Sequence, residues 1–504
     1  MISATISSLR DSAQGVANAL DQSVGLFGHL LAQVDSLVTS VRRDGQEIAD
    51  TRTELLQLLS FRFDSGRQGL RASPKALRVA KTVLAIAVSY RVEMARGEFA
   101  AADVLVSAHQ KRLTVLHQKH ARTIRALCIE CRGTFLKLGQ FLSMRPDLLP
   151  AEYITEFASL RDQVPALPFD QIRPVIEAEL GQSIEDLFAH VDQEAFAAAS
   201  LAQVHRAKGH DGQDYALKVQ IPNAADEVES DIAILRALAK ALGDALPLDC
   251  APVLNQLADS VREELDYELE AAECETLGRL LNSSEGVCIP RVEKDLSGKR
   301  VLTLEWMPGR SLDLSLAEQD EAGKRELLTR LTAIYARQIL RYGYFHADPH
   351  SGNILVQEDG TLVLLDFGCC GVLSEPELAA YRTLLGALFT KNSEEIHQSF
   401  VALGFTSDSS GQEDAIVSLV DTLLAILKDD NAAKAWAANP QAAIQEMLTA
   451  TQAIPGLRTP RHFVLLGRVL ATLGGLIIDN ADANISLLPV LMQVLSEGPA
   501  HQSS

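Results

Sequence analysis

The chain has 504 residues, of which 22% are charged and 47% hydrophobic, a balance typical of a globular protein with a large core. Its formal net charge of −20 argues against nucleic acid as a main partner, because phosphate contacts need clustered Lys and Arg. The seven cysteines are odd in number and scattered, so they indicate a reducing compartment rather than a disulfide framework.

Residues 1–60 are predicted to be helical, since apolar residues recur at roughly heptad spacing and no proline intervenes. A helix packed on its own domain is favoured over a coiled coil or an amphipathic helix at a membrane surface. The basic run at 62–81 is interpreted as a solvated linker, with lipid headgroups or a phosphate as the alternative contact.

No secretory signal is recognisable, and no apolar stretch approaches the ~20 residues that a spanning helix needs. The best candidate, 463–478, is short and is interrupted by Arg468. We therefore expect a soluble or peripheral protein. The C-x-x-C at 128–131 is expected to be structural, because one such pair supplies only half of a tetrahedral zinc shell.

The middle and end of the chain alternate between helical and strand patterns. A helical pattern covers about 83–190, and 197–220 alternates apolar and polar residues around a turn at 210–212, which predicts a β-hairpin. Further strands are predicted at 300–309 and on both sides of the turn QEDGT, and helices at 320–342 and after Gly371. The fold class predicted is α+β with two lobes. The domains are predicted as an N-terminal helical extension (1–82), a helical segment (83–190), a β-rich lobe (191–309) and a helical lobe (310–504).

Two stretches carry the chemistry, HADPHSGN from His346 to Asn353 and LDFG from Leu365 to Gly368. Asp348 lies five residues before Asn353, and Asp366 lies thirteen residues after it. In phosphoryl transfer one carboxylate orients or deprotonates the attacking hydroxyl, while an Asn and a second Asp hold Mg²⁺. The spacing matches the catalytic loop and metal-binding aspartate of protein kinases. Asp348 is therefore the predicted catalytic aspartate, and Asn353 and Asp366 are the predicted metal ligands.

A kinase site also needs a lysine on a strand and a glutamate on a helix. The strand pattern ALKVQIP supplies Lys218, which is predicted to bind nucleotide phosphates. Candidate glutamates lie in EELDYELEAA, 263–272, where Glu270 is preferred and Glu264 and Asp266 are near.

Two features depart from ordinary protein kinases. No glycine occurs between Ala197 and His205, where a glycine-rich loop is expected, so the phosphate-covering loop is predicted to be stiffer. Only seven residues separate Asp366 from Ser374, where a capped helix is predicted to start. No A-P-E follows, so a platform for a peptide substrate is predicted to be missing.

Together with KLGQ at 137–140 and the Ala-rich AAAS at 197–200, these motifs resemble the UbiB/AarF-type atypical kinases. The resemblance covers roughly 85–485, with departures at Arg161 and at Pro165-Ala166. It implies that the helix with Lys137 and Gln140 covers the nucleotide cleft near Glu264 and Asp266. All four residues would then be regulatory. It also implies a Lys218–Glu270 ion pair. The nucleotide, ATP or ADP with Mg²⁺, would be bound by Lys218 and by a loop of four residues, Ala197, Ala198, Ala199 and Ser200.

Three functions remain open. The resemblance implies an ATP/Mg²⁺-dependent atypical kinase or ATPase linked to isoprenoid-quinone (ubiquinone) biosynthesis or lipid handling. It would have a lipid or quinone-precursor ligand and a cytoplasmic location with peripheral membrane contact. The spacing H-x-D-x₄-N also resembles small-molecule phosphotransferases of the aminoglycoside and choline kinase type. A nucleotide-binding scaffold without turnover is the third hypothesis.

Overall fold

The computed structural model describes residues 74–98, 103–143, 149–160, 166–242, 251–281, 286–390, 392–407, 457–458, 460–480, 485 and 487–500. The predicted helix over 1–60, the first part of the basic run and Cys250 lie outside the described residues. Helices and sheets both occur, which confirms the α+β fold class.

Fifteen α-helices are described. They are α1 Pro74–Glu98, α2 Asp103–Cys131, α3 Gly133–Ser143, α4 Ala151–Ala158, α5 Phe169–Leu180, α6 Ile184–Leu187, α7 Ala224–Leu242, α8 Ala251–Glu264, α9 Tyr267–Leu280, α10 Leu312–Glu318, α11 Glu321–Arg337, α12 Glu375–Thr390, α13 Ser393–Ala402, α14 Arg461–Asp479 and α15 Leu487–Glu497. A π-helical turn, Gln338–Tyr342, extends α11, and 3₁₀ turns lie at Lys294–Leu296 and Ser351–Asn353.

The strands are short. They are β1 His190–Val191, β2 Ala197–Ala198, β3 Ala202–Lys208, β4 Asp214–Gln220, β5 Val287–Cys288, β6 Val301–Glu305, β7 Arg310–Ser311, β8 Tyr344–His346, β9 Ile354–Val356, β10 Leu362–Leu364, β11 Cys370–Val372, β12 Thr406–Ser407 and β13 Leu457–Arg458. One sheet has the order β1-β3-β4-β6 with β2 paired to β3, and a second has the order β5-β10-β9-β7. The hairpin predicted around 210–212 is present as β3 and β4.

The chain divides into two compact units, each made of separate segments. The first comprises Met1–Val175, Gln193–Val204 and Gln220–Leu265, and the second comprises Ile176–Asp192, His205–Val219 and Asp266–Ser504. The boundary predicted at residue 82 falls inside α1.

The first unit consists mainly of helices, which pack against one another through separate clusters of buried residues. One core cluster joins Leu201 to α7 and α8, a second joins α2, α3 and α4, and a third joins α1, α2, α3 and α7. Gly139 of the KLGQ helix permits a close approach, because a Cβ there would collide with Leu160 and lie 3.4 Å from Cys128 Sγ. Cys128 and Cys131 form no disulfide.

The last part of the basic run is helical, which corrects its interpretation as a linker for residues 74–81. Lys75 Nζ lies 2.7 Å from Asp231 Oδ1, and Arg78 Nη2 lies 2.5 Å from Glu130 Oε2. These charges hold α1 against α7 and α2, because a buried carboxylate such as Asp231 needs a partner. Lys75 and Arg78 therefore form ion pairs within the protein.

The second unit contains β4, α9 and the strands that carry HADPHSGN and LDFG. Its last helix, α15, is fastened to the end of α11 by an ion pair between Glu497 Oε1 and Arg337 Nη2 at 3.0 Å. Arg341 Nη1 lies 3.1 Å from the other carboxylate oxygen of Glu497. The Arg382 guanidinium also donates to the carbonyls of Leu340 and Leu495, both at 2.6 Å. The segment that precedes the HADPHSGN loop is thereby fixed from two sides.

By length and composition alone, α14 is long and apolar enough to cross a membrane, with 19 residues and a mean hydropathy of 1.5. The expectation that no stretch reaches this length is therefore not met among the described residues. A helix in the core of a soluble protein passes the same test, and a third of the apolar window is buried.

Candidate active site

Lys218, Glu270 and Asp366 meet in the second unit. Lys218 stands on β4, and its Nζ lies 2.6 Å from Glu270 Oε1 and 3.1 Å from Asp366 Oδ1. Glu270 is 2% exposed and lies in the first turn of α9, which Asp266 caps by accepting from Leu269 N. The ion pair implied by the resemblance is thus present, and Asp266 acts as a helix cap.

The charges of Lys218, Glu270 and Asp366 influence the pKa values within the group. Burial would lower the pKa of Lys218, but the carboxylates of Asp366 and Glu270 raise it well above its usual range. The Lys218 ammonium in turn lowers the pKa of Asp366 to about 2. Lys218 is therefore a cation and Asp366 an anion at neutral pH, which are the protonation states needed to bind a phosphate and a metal ion.

A buried histidine orders the backbone of both motifs. His346 Nε2 lies 2.8 Å from the carbonyl oxygen of Asp366, and Nδ1 lies 2.9 Å from Tyr335 Oη. Since a carbonyl only accepts, Nε2 carries the proton and Tyr335 donates to Nδ1. Burial lowers the pKa of His346, which favours this neutral form. The side chain of Gln338, in the π-helical turn, accepts from the His346 N–H at 2.9 Å.

The two motifs are paired along their backbones. In the register of β8 and β11, His346 lies opposite Cys370, and Ala347 N donates to Cys369 O at 2.8 Å. In the register of β9 and β10, Ile354 lies opposite Leu364, and Leu365 N donates to Asn353 O at 2.8 Å. Asn353 and Asp366 therefore lie at the same end of one hairpin. The Asn353 amide also donates to Asp348 O at 3.3 Å, which ties the two ends of the loop.

The residues present fit Mg²⁺ held jointly with a nucleotide. Among the described residues, no group of three or more His, Cys, Asp or Glu side chains forms a cage for a metal ion. Mg²⁺ commonly uses only one or two protein carboxylates and takes its other ligands from phosphates and water. An ionised Asp366 whose side chain is 51% exposed, close to the Asn353 loop, matches that donor set.

The remaining predicted residues lie in the first unit. Lys137 Nζ lies 2.7 Å from Glu264 Oε2, so these two form an ion pair, whereas Gln140 Nε2 donates to Leu160 O at 3.1 Å. The Ala-rich segment forms β2 and a tight turn, in which Ala199 N donates to Ala202 O at 2.8 Å. None of its four residues has a positive φ, and Ser200 is buried. The regulatory and nucleotide-binding roles given to these residues stay predictions.

Sequence reasoning missed several residues at the site. Tyr335 and Gln338 orient His346, and Arg468 Nη2 of α14 lies 2.8 Å from Asp348 Oδ1. The sequence signal that could have located Arg468 is its position as a lone charge inside an apolar helix.

Comparisons with known proteins indicate which family the chain resembles. The model of the ABC1 atypical kinase-like domain matches residues 159–400. "Protein ACTIVITY OF BC1 COMPLEX KINASE 3, chloroplastic" of Arabidopsis thaliana is 35% identical over 298 residues, covering 58% of this chain and 42% of that protein. "AarF domain-containing protein kinase 1" of Mus musculus is 33% identical over 301 residues, covering 58% of this chain and 57% of that protein.

Among solved structures, a complex of Rv3197 with erythromycin from Mycobacterium tuberculosis aligns with 76% of this chain and 98% of that chain. Its TM-score is 0.49 and its identity 21%. The chain spans about half the length of the curated relatives it matches. The resemblance drawn from the sequence is confirmed, since residues 159–400 of this chain match the ABC1 atypical kinase-like domain.

Proposed function

We propose that the protein is an ATP/Mg²⁺-dependent atypical kinase or ATPase that supports isoprenoid-quinone (ubiquinone) biosynthesis or lipid handling at a membrane. The main observation in support of phosphoryl transfer is that Lys218 forms ion pairs with both Glu270 and Asp366. A lysine whose side chain only points into solvent from a strand has no need of ion pairs with two carboxylates, one of which is buried. Kinase-named relatives support the same class of activity.

Each residue then has a role that its geometry supports. Lys218 binds the α- and β-phosphates of ATP, and Glu270 holds its ammonium in place. Asn353 and Asp366 hold Mg²⁺, which neutralises the charge on the phosphates when it is bound. Asp348 orients the attacking hydroxyl or water and accepts its proton.

The short connection after Asp366 supports an acceptor other than a protein. Helix α12 begins at Glu375, and Ser374 N donates to Glu377 Oε2 at 2.7 Å, which closes the predicted cap. So little chain between the motif and the helix leaves no activation segment to hold a peptide. The same feature favours the second candidate, a phosphotransferase for a small molecule of the aminoglycoside or choline kinase type.

The lipid or quinone-precursor ligand and the membrane contact rest on the resemblance to UbiB/AarF-type kinases. We place the protein in the cytoplasm with peripheral contact to the inner face of the membrane. No nucleic-acid partner is proposed, because a net charge of −20 opposes phosphate contacts over most of the surface.

The test is ATP hydrolysis by the purified protein with Mg²⁺, with and without liposomes and a substituted phenol that mimics a quinone precursor. We expect turnover to rise with liposomes or phenol and to vanish in Asp366→Asn, which lacks the metal carboxylate. Glu358→Gln, in the exposed turn between β9 and β10, is the matched control and should keep full turnover.

Turnover and nucleotide affinity that are unchanged in Asp366→Asn would contradict the site assignment. Tight nucleotide binding without turnover, under all conditions, would favour the scaffold. Transfer to a hydroxylated small molecule without any response to liposomes would favour the second candidate.

A further inference from the structure

Arg468 is the only Lys, Arg, Asp or Glu between Arg461 and Asp479, the ends of the apolar helix α14. Its Nη2 lies 2.8 Å from Asp348 Oδ1, and its Nη1 lies 3.8 Å from Cys369 Sγ, beside the second motif. The side chains of Arg468 and Asp348 are 34% and 33% exposed, so solvent and small ligands can reach the pair. An arginine in this place needs an explanation beyond helix packing.

The two motifs lack a positive charge of their own, and this lack explains why an arginine lies beside them. HADPHSGN and LDFGCCG contain no Lys or Arg, and the second residue after Asp348 is His350. Lys218 is held by Glu270 and Asp366, at the end of the site assigned to the α- and β-phosphates. Phosphoryl transfer spreads negative charge over three equatorial oxygens, which must be stabilised next to the attacking group. Within the described part of the chain, Arg468 is the cation ion-paired with the residue that orients that group.

We propose that Arg468 is a further catalytic residue, whose guanidinium binds the phosphoryl group as it passes to the acceptor. This inference rests on the proposed function. A guanidinium presents five N–H donors in a planar fork, so it can keep its bond to Asp348 and bind phosphoryl oxygens together. Asp348 then has two roles, because it aims the acceptor and also fixes the arginine.

The step balances without any further reagent. The acceptor oxygen forms a bond to the γ-phosphorus as the bond between that phosphorus and the leaving oxygen of ADP breaks. The proton of the acceptor hydroxyl or water passes to Asp348. Arg468 neutralises charge on the equatorial oxygens and keeps its own protons throughout, since a guanidinium is not deprotonated in proteins.

The experiment compares Arg468→Gln and Arg468→Lys with wild type, and uses Arg461→Gln, two turns earlier on the same helix, as the control. Affinities for Mg-ADP and for Mg-ADP with aluminium fluoride, a mimic of the phosphoryl group in transfer, are measured by calorimetry. We expect aluminium fluoride to tighten ADP binding to wild type and Arg461→Gln at least about tenfold. Arg468→Gln should lose that gain while its affinity for ADP alone stays within about twofold, and Arg468→Lys should keep part of it.

Single-turnover ATP cleavage is the second measurement, and Arg468→Gln should slow it roughly 10²- to 10³-fold. Equal tightening by aluminium fluoride in wild type and Arg468→Gln would overturn the inference, and so would an absence of tightening in wild type. Faster cleavage by Arg468→Gln would show instead that Arg468 blocks Asp348. Loss of ADP affinity in both Arg468 variants would make it a structural residue. If wild type binds no nucleotide, the proposed function itself fails.

Discussion

Asp366 has a backbone conformation that most L-residues avoid. Its φ is +57°, in the left-handed region that Asp and Asn enter more readily than other residues with a side chain. Its Oδ1 accepts from Gly368 N at 3.3 Å, a local hydrogen bond that helps to pay for this conformation. Asn is therefore the substitution that removes the charge and keeps the backbone, whereas Ala would add strain of about 1–2 kcal/mol.

Ala198 is the residue at which the Ala-rich turn can be tested. It pairs with Gln203 in the β2–β3 hairpin and has no positive φ, so alanine fits the present shape. We expect Ala198→Gly to change the ratio of ATP to ADP affinity, because glycine frees the loop to adopt other conformations. Calorimetric titration with each nucleotide checks this.

The control for Ala198→Gly is Ala195→Gly, which lies just before β2 and should leave the ratio unchanged. A ratio that is identical in wild type and Ala198→Gly would remove this turn from the nucleotide-binding residues.

At the scale of the helices, Gly139 sets how closely α3 approaches its neighbours. A Cβ at this position would collide with Leu160 and lie 3.4 Å from Cys128 Sγ. We expect Gly139→Ala to lower the free energy of unfolding by about 1–3 kcal/mol, the usual cost of overpacking. Denaturant titration measures the change.

The matched control for this effect is Gly386→Ala in α12, where an added Cβ has no atom within 4 Å. That variant should raise the free energy of unfolding by about 0.5–1 kcal/mol, because alanine favours the helix. If both variants changed stability alike, close packing at Gly139 could not be the reason for its presence in KLGQ.

The carboxyl-terminal helix offers a prediction that depends on pH. Hydrogen bonds from Arg337, and the charge of Arg341, lower the pKa of Glu497 below its usual value, although burial opposes them. A lowered pKa gives stability that is present above about pH 4.3 and is lost as the pH falls through the lowered value. We expect Glu497→Gln to cost about 1–2 kcal/mol at pH 7, with a difference from wild type that shrinks below pH 4.

Unfolding of wild type and Glu497→Gln at several pH values tests this, with Glu358→Gln as the exposed control. A difference that stays the same down to pH 3 would mean that the ionised carboxylate is not what holds α15.

Much of the site could be predicted from sequence because its residues sit in short, contiguous motifs. HADPHSGN and LDFG gave the hairpin end where Asn353 and Asp366 lie, and the strand pattern around Lys218 placed that residue on β4. Arg468 could not be found in this way, since it comes from a distant helix and only tertiary folding brings it to Asp348. The helix over 74–81 was missed because its charges are satisfied by Asp231 and Glu130, which no local pattern reveals.

For the whole molecule, nucleotide binding should appear as added stability. Lys218, Asn353 and Asp366, which are predicted to bind the α- and β-phosphates and Mg²⁺, belong to the second unit. A ligand that binds only the folded state, at 100 times its Kd, adds about 2.7 kcal/mol. We expect Mg-ADP to raise the Tm of the transition that unfolds this unit, and EDTA to reverse most of the shift.

Asp366→Asn serves as the control in that experiment, because it should show little shift with Mg-ADP. A shift of equal size in wild type with EDTA would indicate that the nucleotide binds without a metal ion.

The fastening of α15 to the end of α11 also has a consequence for the order of folding during synthesis. Glu497 lies 160 residues after Arg337 and 156 after Arg341, yet their ion pairs secure the segment that leads into the HADPHSGN loop. At a ribosomal rate of about 5–20 residues per second, Glu497 is synthesised roughly 8–30 s after the end of α11. The segment that leads into the loop is therefore secured by these ion pairs only after Glu497 has been synthesised.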